Sequence, residues 1–319
     1  MPVLRSKASK KIVASASSLL QCLEGLAKPS YAQQAVKFVH RSYCPNDIFV
    51  GIRVPQCREA VKTHLGSTTL KDILDLIHDA RHEMRLTGFI ALTEAFHRPH
   101  SASWWSDDGV PTEDHIKHLG YSPDDLRRHA ISRIYLDNTR FCNNWDLVDA
   151  SAHKILGEQL VHFHATELAA YCASPTKCID ELPAWYQRLL QSKDLWETRI
   201  SIVLLLRLLP TEHCNVAYAI CLHHINKFDA DPSLRCTLEG ASFPSLDLIH
   251  KALGWVLREA GKRNKAALTR FLDEHAAKAF KTTVRYATEH MDRAKAKRYV
   301  DRAQKGVASH AATDLDDEA

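Results

Sequence analysis

The stretch N-N-W-D-L-V-D-A-S-A-H, residues 143–153, sets an indole and two carboxylates in a segment of helical character. With about 3.6 residues per turn, Trp145 and Asp149 share one helix face, Val148 and Ala152 lie beside them, and Asp146 points elsewhere. Asn143 or Asn144 then acts as the N-cap, and Asp146 is a first-turn acid favoured by the helix dipole. The bland alternative makes Asp149 a solvated charge. It fits poorly, because Asp149 falls past the first turn, on the side where Trp, Val and Ala indicate burial or a cleft. A carboxylate beside an electron-rich indole favours positive charge, so the chemistry open to the pair is stabilisation of a cation. His153, one turn after Asp149, either pairs with it and lowers its pKa or faces a neighbouring helix; the second is the expectation adopted.

The elements that must position these groups are helices. Apolar residues recur at helical spacing almost everywhere, as in residues 70–80 (L-K-D-I-L-D-L-I-H-D-A) and 185–191 (W-Y-Q-R-L-L-Q), and alternation with period two is scarce. The chain therefore reads as all-α. Two segments rich in turn formers, residues 97–112 and 228–244, read as irregular insertions; the first carries Trp104 and Trp105 beside Asp107, Asp108, Glu113 and Asp114, acids that would repel phosphates.

A loose internal repeat appears when Arg85, Asp149, Arg199 and Lys251 are stacked. The windows R-L-T-G-F-I-A-L, D-A-S-A-H-K-I-L, R-I-S-I-V-L-L-L and K-A-L-G-W-V-L-R share apolar or small residues at their second and fourth positions, at spacings of roughly 50 to 65 residues. In a helical repeat array such residues occupy equivalent places on successive inner helices lining a concave surface. Arg85, Asp149, Arg199 and Lys251 then form a row of three cations and one anion. A groove built only for phosphates would gain from a fourth cation, since a carboxylate repels a phosphate by about 1 kcal/mol at close range even in water. Keeping Asp149 implies that something positive comes to it.

The chain has 319 residues with 42 Lys and Arg against 38 Asp and Glu, a net charge of +4 that suits an anionic partner without demanding one. Four basic groups and no acid occupy the first twelve residues, and the end, D-L-D-D-E-A, is acidic; both ends are expected outside the fold. No apolar run has the roughly 18 residues of a membrane span, and the start lacks the apolar core of a secretory signal, so an intracellular protein is expected, in the nucleoid-containing cytoplasm of a bacterium or the nucleus of a eukaryote. Nine scattered cysteines read as reduced thiols. Cys214, Cys221 and His224 could share a helix face, but no second ligand pair has zinc spacing, and a helix face with buried cysteines is the expectation; no metal or cofactor is called for.

The ordered segments N-W-D-L-V-D (144–149), W-E-T-R (196–199) and K-A-L-G-W-V-L-R-E (251–259), with F-V-G-I-R-V-P-Q-C-R (49–58) upstream, resemble the signature segments of the AlkD-type DNA alkylation repair family. The likeness spans about residues 31 to 290, and four motifs in order make it specific. The resemblance implies a curved superhelical stack of HEAT-like antiparallel helix pairs with a concave DNA-binding groove. It also implies hydrolysis of the N-glycosidic bond of cationic N3- or N7-alkylated purines in duplex DNA, with the lesion still stacked rather than flipped. By the same resemblance Asp149, Trp145 and Trp255 match the catalytic cleft, Arg199 matches an arginine on the DNA backbone, and Arg258 falls on a family arginine position. Lys251 and Arg85 join them as DNA-binding candidates through the row. The expected organisation is a basic N-terminal segment (1–30), a HEAT-like glycosylase domain (31–300) and an acidic tail (301–319), acting as a monomer on double-stranded DNA. Two other functions fit a helical array: a non-catalytic binder of DNA structure, against which the intact Trp145, Asp149, Arg199 and Trp255 set argues, and a protein-interaction scaffold, which leaves the carboxylate between tryptophans unexplained.

Overall fold

Local capping chemistry starts most of the helices. In the computed structural model, which describes residues 18–39, 43–44, 46–99, 121–230, 237–238, 241–242 and 247–303, α1 (Ser18–Leu26) and α2 (Pro29–Ala35) come first. Pro55 stands in the first turn of α3 (Val54–His64). Thr69 and Asp72 form a reciprocal capping box on α4 (Leu70–Ile77), which satisfies two otherwise orphaned amides. That helix ends before Ala80 because the Asp79 carboxylate accepts the Arg81 amide at 2.7 Å and turns the chain. α5 (His82–His97) is buried on nearly every face, and its first turn takes His82, Glu83 and Arg85 into the interior with it.

Ser122 caps α6 (Pro123–Asp137) and Asn144 caps α7 (Trp145–Phe163). α8 (Ala165–Ala173) and α9 (Ala184–Gln191) follow. Asp194 accepts the amides of Trp196 and Glu197 at 2.8 and 2.9 Å to start α10 (Leu195–Val203). Beyond α11 (Cys214–Ala230) come α12 (Asp247–Arg263), α13 (Lys265–His275), α14 (Lys281–Ala287) and α15 (Arg293–Arg302).

α5 packs on α7, α7 on α10, α10 on α12 and α12 on α14, so these helices form a continuous row, flanked by α3, α4, α6, α9, α11 and α13. One apolar core runs through the row, from Leu19 and Leu23 of α1 to Tyr299 of α15. The four aligned windows thus lie on neighbouring helices. Gly254 lets α12 lie close on α14: a Cβ there would stand 2.6 Å from the Thr283 carbonyl oxygen and 2.4 Å from the Tyr286 Cβ, so a larger residue would push the two helices apart.

The structure moves three boundaries. α1 lies inside the segment read as a basic N-terminal extension, and its buried Leu19 and Leu23 pack it on α3, so folded chain begins by residue 18. α5 continues through His97 and α11 through Ala230, each into a segment read as irregular. In the second of these, Thr237–Leu238 (β1) and Ala241–Ser242 (β2) pair antiparallel as a two-residue ladder in an otherwise helical structure. Trp104, Trp105, most of both insertions, residues 1–17 and residues 304–319 lie outside the described residues.

Candidate active site

Three neighbouring helices meet at Asp149. The Asp194 cap fixes the start of α10, and one turn on Arg199 points across to α7, donating from Nε to Asp149 Oδ1 at 3.1 Å and from Nη2 to Oδ2 at 2.8 Å. Its Nη1 donates to the Leu248 carbonyl of α12 at 2.5 Å. One guanidinium thereby ties α7, α10 and α12 together in the bidentate geometry that suits arginine and carboxylate. The Arg199 side chain is 6% exposed and that of Asp149 21% exposed, so the pair sits at the edge of the interior with the carboxylate outermost. Burial pushes the Asp149 carboxyl above its ordinary range, and the charge and hydrogen bonds of Arg199 oppose that rise.

The positive group that comes to Asp149 within the protein is therefore Arg199. The expected contact of Arg199 with a DNA phosphate has to be reconciled with this, because Nε, Nη1 and Nη2 all have protein acceptors. Arg85, expected in the same row as a DNA-binding cation, is turned inward. Its side chain is 5% exposed, pairs with the buried Asp47 and donates to the carbonyls of Asp79 and Ala80 at 2.9 Å, which leaves it no path to a phosphate in this structure. An arginine on the inner face of a central helix must be neutralised, and Asp47 does this. Lys251 stays half-exposed and pairs with Asp247 at 2.5 Å, one turn earlier on α12. Arg258 pairs with Glu259 and Glu289. Trp255, midway between Lys251 and Arg258, packs half-buried against the core.

Trp145 is the first residue of α7 and is half-buried. It borders a cavity of about 370 Å³ together with Tyr31, Phe49, Arg53, His82 and Asp146. Gly51 shapes the wall of this cavity. Its φ of +83° lies in the left-handed region, and a Cβ there would meet the Lys28 carbonyl oxygen at 2.0 Å. The amides of Val50, Gly51 and Ile52 then turn to the Glu83 carboxylate.

Asp146 does more than complement a helix dipole. His82 bridges two acids, with Nδ1 2.9 Å from Asp47 Oδ2 and Nε2 2.8 Å from Asp146 Oδ2. Its ring stacks on Phe49 at 4.6 Å. Burial alone would lower the His82 pKa, but the hydrogen bonds and charges of Asp146 and Asp47 outweigh it and raise the value to about 9, so the ring is an imidazolium at neutral pH. Burial likewise opposes ionisation of Asp47, yet His82, Arg85 and Asn144 hold its pKa below the ordinary carboxylate value. Asn144 Nδ2 donates to Asp47 Oδ2 at 3.1 Å, while Asn144 Oδ1 accepts the Trp145 amide at 2.8 Å. Both neighbours of Trp145 are thus anchored through Asp47. Sequence reasoning missed Asp47 and His82, and no spacing signals them, because they stand 35 residues apart and His82 lies 64 residues before Asp146.

His153 has no hydrogen bond to Asp149. Burial and the charge of Lys154 hold its pKa at about 4, and its buried Nδ1 has no partner among the described residues. Cys221 and His224 are buried on α11, with His224 Nε2 3.1 Å from Ser201 Oγ. Among the described residues no group of three or more His, Cys, Asp or Glu is arranged to hold a metal ion, and no helix is long and apolar enough to cross a membrane.

No curated protein and no solved structure matches the chain. The sequence profile of one family does match, over residues 19–291, which takes in α1 from its second residue through α14 and every candidate residue above. The chain belongs to the DNA alkylation repair enzyme family.

Proposed function

We propose that the protein is a monofunctional DNA glycosylase that hydrolyses the N-glycosidic bond of cationic N3- or N7-alkylated purines in duplex DNA. The observation that carries this reading is the Asp149 carboxylate, largely withdrawn from water, held by both oxygens on Arg199 and one turn from Trp145. A purine alkylated at N3 or N7 is already cationic, so it leaves without protonation by a general acid. The electron pair of the C1′–N9 bond passes to the base and neutralises it, and positive charge develops on the deoxyribose as in other glycoside hydrolyses. Asp149 stabilises that oxocarbenium-like charge and accepts a hydrogen bond from the attacking water, whose oxygen bonds to C1′ and whose proton is released to solvent. Trp145 and Trp255 offer aromatic faces to the same charge, worth about 1 kcal/mol each.

Arg199 acts here first on Asp149, fixing both carboxylate oxygens, and its contact with the DNA backbone is secondary. The row from α5 to α14 supports a curved stack of HEAT-like pairs whose inner helices face the duplex, with the lesion remaining stacked. A monomer working where the cell keeps its DNA is the corresponding assembly and location. The test is chromatography of bases released from methylated duplex DNA. Free 3- or 7-methylpurine with the DNA strand uncut supports the reading, and no release by folded protein at high enzyme excess overturns it.

A further inference from the structure

The charge of the chain is unevenly placed. Residues 247–303 hold 14 Lys and Arg against 7 Asp and Glu, an excess of seven in a chain whose total is four. α12 arranges part of it along one face, where Lys251, Trp255, Arg258 and Lys262 recur at i, i+4, i+7 and i+11. This stripe begins one turn past Leu248, whose carbonyl Arg199 holds, and ends at a cavity of about 210 Å³ where α12 meets the starts of α13 and α15.

Arg258, Lys262, Lys265 and Lys295 line that cavity. The acid in its wall, Asp292, accepts the amides of Ala294 and Lys295 at the start of α15. Thr269 Oγ1 steadies the Lys295 ammonium at 3.1 Å, and Lys265 makes no ion pair among the described residues. Glu259 and Glu289 offset part of the charge of Arg258 and Lys262. The surplus therefore rests on Lys265 and Lys295, compact charges of the kind that bind phosphate as a point.

We propose that this cavity is a phosphodiester subsite that holds a backbone phosphate of the duplex beside the reacting nucleotide. Its identity as an anion site is independent of the glycosylase reading; its distance from the reacting sugar rests on that reading. From Trp255 to Lys262 the helix axis rises roughly 10 Å, about three times the 3.4 Å rise per base pair, so with α12 laid along the duplex the phosphate falls about three nucleotides from the sugar at Trp255.

The experiment uses the full chain and its K265Q/K295Q variant, two residues outside the reacting machinery, with a duplex carrying one 7-methylguanine. The slope of log Kd against log salt should fall by about 1 in the variant, while single-turnover excision at saturating enzyme stays within about twofold. Neutral methylphosphonates placed singly at each position flanking the lesion should weaken wild-type binding several-fold at one position, and the variant should be indifferent to that substitution. An unchanged salt slope with an unchanged methylphosphonate profile overturns the subsite even if excision is normal. A reduced slope on undamaged duplex without any base release retains the subsite and sinks the glycosylase reading instead. Should the double variant not fold, K265Q alone, at an exposed position, must weaken duplex binding and blunt the response to that methylphosphonate, or the proposal fails.

Discussion

Replacing Asp149 with asparagine removes one negative charge while keeping size, and the structure sets what else it does. Arg199 loses one of its two carboxylate acceptors and keeps the Leu248 carbonyl, leaving a guanidinium that is 6% exposed with reduced compensation. Breaking a fully buried ion pair costs about 3–5 kcal/mol. The introduced amide retains one acceptor, and the carboxylate it replaces is 21% exposed, so about 1–3 kcal/mol of stability is the expected loss. The chemical step should fall much further in relative terms. Loss of one preorganised group facing developing charge slows such reactions about 10²-fold or more, close to 3 kcal/mol in the barrier. Binding of undamaged duplex should hold or tighten by up to about fivefold, because a repulsive charge worth about 1 kcal/mol has gone and Arg199 is freer to meet a phosphate. The assay is single-turnover release of 7-methylguanine at saturating enzyme, below the melting transitions of both proteins, with duplex affinity measured in parallel. Wild-type excision by folded D149N would refute the catalytic role of Asp149, whatever happened to stability.

Three other outcomes follow from the contacts. Arg85→Ala strips Asp47 of a buried partner and should cost about 3–5 kcal/mol in urea unfolding while leaving the salt slope of DNA binding unchanged; a lower slope would restore Arg85 as a phosphate contact. His82 has its folded pKa raised from 6.5 to about 9, so its stabilisation is fully present below pH 6.5 and is lost as pH rises through 9. The loss should be on the order of 3 kcal/mol, seen as a falling urea midpoint that is flat in His82→Gln over the same range; equal slopes in both proteins would dismiss the imidazolium. Gly254→Ala drives a methyl to within 2.6 Å of the Thr283 carbonyl oxygen and should lower stability by about 1–3 kcal/mol and shift Trp255, and an unaltered melting temperature would show that α12 and α14 can part without cost.

The local and periodic features were legible in the sequence. Helical spacing, a cap at Asn143 or Asn144, of which the structure uses Asn144, and the placement of Trp145 and Asp149 on one helix each depend on residues within a few positions of one another, and four ordered motifs sufficed to name the family that the profile match assigns. The four aligned windows fall on successive packed helices, but the sequence assigned all three cations of the row to DNA and gave Asp149 no partner within the protein. What the sequence could not disclose was which cation answers it. Arg85 and Arg199 look alike as helix-borne arginines, yet one is spent on Asp47 inside the fold and the other on Asp149 at its edge. The partner is chosen by how α5, α7, α10 and α12 pack, across separations of 38 and 50 residues. The same holds for His82, whose charge at neutral pH exists only because folding sets it between Asp47 and Asp146. Side-chain type and spacing report what a residue can do; burial and the groups brought against it decide its charge and whether it faces water, and those are properties of the tertiary structure alone.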